Sequence, residues 1–201
     1  MGYFIFSYAI NYRQLNNAIG SRDIALLNQI RQTDTFQRYV NLDLPTEVGT
    51  DTALQHIVHG QAPDTRDTTS YWHALITLID YLGKPLGKSE KLVLHYETDL
   101  INQILLEDFK VDMGIEEVLL NGRLDVGLPL SNDWPLSGLL MYADLLQLQK
   151  ELLHVKISQE HIVATTEEDE EEARVLDGIQ TLKENIDYCL MHDFVLISFC
   201  H

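Results

Sequence analysis

The two ends of this chain carry its most confining feature. YFIFSYAI (residues 3–10) and FVLISFC (194–200) are rich in aromatic and β-branched residues, with apolar side chains at odd and even positions alike. A strand wetted on one face alternates; a run that is apolar at both parities reads as a strand covered on both faces. Neither run is stable alone. The economical arrangement pairs them with each other, brings the termini together and lays helices over both faces. LVLHY (92–96) or HVKIS (154–158) is available as a third strand.

Between the ends the apolar period is helical. Tyr12, Leu15 and Ile19 share a face that Gly20 ends, and Ser21 is placed to cap a helix carrying Ile24, Leu27 and Ile30. Leu54, Ile57 and Val58 mark a helix ending at Gly60. Over 70–82, Trp72, Leu75, Ile76, Ile79 and Leu82 form one stripe, with His73, Thr77 and Asp80 opposite and Gly83 and Pro85 as terminators. Leu100, Ile101, Ile104 and Leu105 mark another helix. SGLLMYADLLQLQKELL (137–153) is apolar around all but a narrow seam of Asp144, Gln147 and Glu151, which predicts a central helix. The Gly- and Pro-bearing stretches 60–70 and 120–135 read as loops, the second with buried apolar anchors. The prediction is an α+β fold: one mainly helical domain over residues 1–201, with a small sheet pairing strands 3–10 and 194–200.

Charge narrows the partners. The chain holds 31 acidic and 14 basic residues, a formal net charge of −17. Such a surface repels phosphate backbones and anionic lipid heads, so nucleic acid and membrane are not expected partners and a basic protein is favoured. No apolar stretch has membrane-spanning length, and MGYFIFSYAI lacks the basic start of a signal peptide. Two cysteines, Cys189 and Cys200, are too few for a disulfide framework. Reduced thiols in a cytoplasmic protein are expected.

The densest charge is the run Glu167, Glu168, Asp169, Glu170, Glu171 and Glu172. Thr165 with Glu168 fits a capping box, Thr166 with Asp169 a near variant, and the stripe Val175, Leu176, Ile179, Leu182, Ile186, Cys189 and Leu190 follows. The run thus reads as the linker and first turns of a long helix, where carboxylates meet the positive end of the helix dipole. Consecutive helical carboxylates diverge, and a calcium loop needs acids at alternate positions with a glycine turn, so no metal is expected here. As a lure for a basic partner, the run offers Glu167, Glu168, Asp169, Glu170 and Glu171, with Trp134 of the NDWP loop as a recognition residue or a core anchor.

Other candidates are sparser. His56 and His59 share one side of a helix, but two imidazoles are not a metal site, and a solvated face is expected. His192 and Asp193 fall where a helix C-terminus favours a cation. Cys189 is expected in the core. Cys200 and His201 are neighbours on a strand and point to opposite faces, so they do not pair. No nucleophile elbow, phosphate-binding loop, dinucleotide fingerprint or zinc-protease helix is present, and no cofactor is expected. The leading expectation is a non-catalytic binding protein, of the kind an immunity protein or antitoxin represents. The alternative is a small enzyme with an acidic cleft between loop 120–135 and helix 137–153, using Asp133, Asp144 or Glu151 as acid or base near His201. Homodimerisation through an open sheet edge is a third arrangement.

Four stretches in order carry a family likeness: INYRQLNNAIGSRDIALLNQI after the first strand, then ALQHIVHG with YWHALITLIDYLGKPL, then LPLSNDWPLSGLL, then DFVLISFCH. Together the chain resembles an uncharacterised bacterial family, a domain of unknown function. Trp134 stands where that family usually has Phe, and Cys200 where it usually has Tyr. The resemblance implies a bacterial, cytosolic, single-domain protein and brings no activity with it.

Overall fold

A computed structural model describes residues 3–42, 47–64, 68–87, 92–93, 95–121, 124–128 and 135–200, with the side chains of 92–93 and 167–168 outside that description. The terminal strands are neighbours, as their composition predicts. Strands β1 (Phe4–Ile10) and β5 (Val195–Cys200) lie side by side in a five-stranded sheet. Its order is β2 (Lys84–Leu86), β1, β5, β4 (Leu136–Leu140), with β3 (Leu92–Val93) pairing antiparallel to β1. All six residues of β5 are buried, which is why its sequence shows no alternation. The Ser7 and Ser198 hydroxyls bond across the pair at 2.7 Å, and the Phe6 and Phe199 rings lie 5.8 Å apart. The third strand comes from 92–96. Residues 155–158 adopt no regular structure: they bridge α8 (Tyr142–Glu151) and its closing turn to α9 (Gln159–Glu168), whose cap is Ser158.

The chain divides into two compact units. Unit 2 comprises Ile10–Pro85 and Leu124–Leu136. In it α1 (Tyr12–Ala18), α2 (Ile24–Ile30), α3 (Asp34–Val40) and α4 (Thr50–His59) all pack on α5 (Thr68–Leu82). Every α5 residue from Ser70 to Ile79 is buried. His73 and Thr77, expected on a polar face, are therefore interior. The His73 ring stacks 4.6 Å from Tyr39, and the Thr77 hydroxyl donates to the Ala74 carbonyl at 2.7 Å. Four helices leave α5 no wet side, and the Thr77 hydroxyl is satisfied within its own helix. The α2 cap is Asp23, not Ser21: the Asp23 carboxylate accepts from the Leu26 amide at 3.0 Å, while the Ser21 hydroxyl accepts from Asp23 N–H. Gly20 and Gly60 end α1 and α4 as predicted, both at positive φ, and a Cβ on Gly60 would lie 3.1 Å from the Gly20 Cα. The close approach disfavours a side chain at Gly60, and the positive φ favours glycine in both turns.

Unit 1 comprises Met1–Ala9, Leu86–Arg123 and Ser137–His201. Its long helix α10 (Glu170–His192) packs on α6 (Glu97–Phe109), α8, α9 and β5, and α7 (Ile115–Leu120) also covers β5. The predicted stripe is the buried one: Val175, Leu176, Ile179, Leu182, Ile186 and Cys189. Each such Leu or Ile contributes roughly 1.5–3 kcal/mol on leaving water.

The central helix expected at 137–153 is two elements. Leu136–Leu140 is β4, and the helix begins only at Tyr142, burying just Leu145 and Leu148. Pairing with β5 overrides the helical period, and α7 lies so close that an ideal Cβ on Gly138 would sit 2.1 Å from the Leu119 carbonyl oxygen. Helix caps are also redistributed at the acidic run. Thr165 and Thr166 lie inside α9, where their hydroxyls donate to the carbonyls of His161 and Ile162. Asp169 caps α10, accepting from the amides of Glu171 and Glu172 at 2.9 and 3.0 Å. A carboxylate on two free amides outcompetes a threonine, because its charge also meets the dipole.

Candidate functional site

Sequence-selected residues fall into three groups. Asp133, Trp134 and His201 lie outside the described residues, as do the side chains of Glu167 and Glu168 in the last turn of α9. Asp144 and Glu151 are in local use. The Asp144 carboxylate accepts from the Met141 amide at 2.9 Å, and Glu151 accepts from the Gln147 side chain at 2.7 Å. Seven residues apart on α8, they stand about 10 Å apart along its axis, beyond hydrogen-bond reach of each other. Asp169, Glu170, Glu171 and Glu172 cap and open α10, and the Tyr96 hydroxyl donates to Glu171.

His56 and His59 are half-buried rather than solvated. For His56 the reason is Tyr71 on α5: its hydroxyl lies 2.6 Å from His56 Nδ1 and also accepts from the Asp64 amide. Among the described residues no three His, Cys, Asp or Glu side chains are grouped to hold a metal. Cys189 is a core residue, as expected, and both thiols are free and buried. Burial pushes the Cys189 thiol up to about 12. Burial, with the Glu116 carboxylate, pushes Cys200 up to about 11. Both thiols are therefore protonated at neutral pH and are poor nucleophiles.

A cleft that sequence reasoning passed over lies within unit 1. It offers about 120 Å³ of solvent space between α10 and the β1 and β5 strands. Its apolar wall includes Ile5, Leu182 and Leu196. Its polar wall is a row on α10: Arg174, Asp177, Thr181 and Asn185. Spacings of three and four residues put these on one helical stripe beside the buried one. Arg174 is committed at the rim, its Nε 3.3 Å from Glu97, whose side chain is only 12% exposed. Among the described residues, Asp177, Thr181 and Asn185 are half-buried and make no hydrogen bond or ion pair. Gly178, also on the wall, leaves the helix backbone bare there. A glycine inside a helix costs roughly 1 kcal/mol relative to alanine. That glycine, flanked by polar residues at helical spacing, is the one sequence signal that could have disclosed the cleft.

Unit 1 also carries most of the charge: 21 acidic against 8 basic residues, a formal −13, against 10 and 6, or −4, in unit 2. No helix among the described residues is long and apolar enough to cross a membrane.

Comparison with known proteins identifies a family. A family model, described as a domain of unknown function (DUF7691), matches residues 1–201. No curated protein and no solved structure matches the chain.

Proposed function

Since the chain belongs to the DUF7691 family over residues 1–201, a membership that brings no activity with it, we propose its function from physical grounds: a non-catalytic binding partner for a basic protein. The immunity protein or antitoxin that masks a basic toxin is its most concrete form. The observation that supports the reading is the segregation of charge, −13 on unit 1 against −4 on unit 2. One-sided charge steers a complementary partner and raises its association rate. The start of α10 is the focus we assign, because Glu170, Glu171 and Glu172 crowd its first turn. We further propose a bacterial cytoplasmic setting, supported by the two free, buried cysteines.

The test is co-purification from the native host at about 50 mM and about 500 mM salt, which bracket weak and strong screening. Wild-type protein is compared with the triple variant Glu170→Gln, Glu171→Gln, Glu172→Gln. A basic protein retained at low salt by wild type, and lost from the variant and at high salt, supports the reading. Equal retention by the triple variant, or no basic protein at either salt, refutes it.

A further inference from the structure

We propose that the unit 1 cleft is a binding site for a short linear polyamine, a function independent of the basic partner proposed above. Three observations converge on that chemistry. Asp177 supplies a carboxylate that, among the described residues, has no ion-pair partner, although Arg174 stands three positions away and is engaged by Glu97. Thr181 and Asn185 continue the row with two further oxygen acceptors, also without partners among the described residues. Ile5, Leu182 and Leu196 supply an apolar wall facing that row.

Asp177, Thr181 and Asn185 follow one another at four-residue steps, so the row runs about 12 Å along the helix axis. No single ammonium reaches all three. A linear chain lying along the row does: one ammonium against Asp177, methylenes along the leucine and isoleucine wall, and a second amine at Thr181 and Asn185. An ammonium carries three donors and no acceptor, which matches a row of oxygens. An anion is disfavoured, because Arg174, the cation at the rim among the described residues, is already paired with Glu97, and Asp177 repels it. Gly178 keeps the space open, since any side chain there projects from the same wall.

Another hollow of unit 1, between α8 and α10, is a weaker candidate. Its polar groups are already paired: Lys183 donates to the Val155 carbonyl, and Gln149 to Asp187 at 2.7 Å.

The experiment titrates spermidine into the full-length protein. Isothermal calorimetry and amide shifts are followed, with magnesium chloride at matched ionic strength and octane-1,8-diol as controls. The expected result is saturable one-to-one binding, with shifts confined to residues 177–185, β1 and Leu196 of β5. Asp177→Asn keeps the shape and removes the charge, and weakens binding by about tenfold or more, as loss of a charge-assisted bond requires. Gly178→Leu fills the cleft without touching a charge and abolishes binding. Glu184→Gln, an exposed carboxylate on the same helix, changes affinity by less than about twofold, as expected of a screened surface charge. Circular dichroism and urea midpoints show that each variant is folded. Equal weakening by Asp177→Asn and Glu184→Gln overturns the proposal, as does displacement by magnesium, equal binding of the diol, or no saturation by about 10 mM. The Glu170, Glu171 and Glu172 variant leaves this site intact, so failure here and failure of the basic-partner reading are told apart.

Discussion

Gly138 is the position where one methyl group has the largest consequence. Glycine in a strand interior marks a close backbone approach, and here the approach is that of α7. An ideal Cβ would stand 2.1 Å from the Leu119 carbonyl oxygen, 2.7 Å from its carbonyl carbon and 2.8 Å from the Leu120 Cα. Ordinary carbon–oxygen contact is more than 1 Å longer, by about the radial margin that spans an attractive well. No flexible side chain can give way, because all three atoms are backbone. α7 is held by buried Ile115 and Leu119, and β4 is held by its pairing with β5. Overpacking costs typically 1–3 kcal/mol, and rigid backbone on both sides puts Gly138→Ala at about 3 kcal/mol. With a urea slope of about 2 kcal/mol per molar, the unfolding midpoint falls by about 1.5 M. Gly127→Ala is the control. Gly127 has φ of 72° with nothing within 4 Å of its Cβ position, so it carries backbone strain alone, about 1 kcal/mol. Equilibrium urea unfolding, followed by circular dichroism and fluorescence, measures both variants. A Gly138→Ala midpoint equal to that of wild type, or no lower than that of Gly127→Ala, refutes the close packing of β4 on α7.

Two further outcomes follow from the caps and the thiols. Asp169→Ala removes the carboxylate from two amides of α10 and lowers stability by about 1 kcal/mol, while Thr165→Ala, whose hydroxyl serves a carbonyl of its own helix, stays within about 0.5 kcal/mol. Thermal melts compare them, and a larger loss for Thr165→Ala would return the cap to the threonine. Burial raises the Cys189 and Cys200 thiols to about 12 and about 11 in the folded protein, above an ordinary value of 9.0. Between those limits the folded state binds more protons than the unfolded one, so stability is intact below pH 9 and falls as pH rises through 11 and 12. Urea midpoints from pH 7 upward, with iodoacetamide labelling before and after unfolding, measure this. Rapid labelling of the folded protein near neutral pH contradicts it.

The terminal strands were legible because a strand buried on both faces leaves an unmistakable mark, a run such as VLISFC with no polar parity. The α10 stripe and the stops at Gly20 and Gly60 were legible for a similar reason: period and backbone freedom are local properties. Local properties failed where two structures satisfied the same pattern. SGLL fits a helix wheel, yet only the vacant edge of β5 decided that it becomes β4. His73 and Thr77 looked like a wet face, because period reports contrast and cannot report four helices closing around α5. The cleft, apart from the glycine at 178, left little mark for a related reason. Asp177, Thr181 and Asn185 are ordinary surface residues in sequence, and their lack of partners among the described residues is a property of what packs beside them. Net charge, strand burial and helical period were therefore fixed along the chain, whereas pairing, enclosure and unmet hydrogen bonds arose only when distant segments met in space.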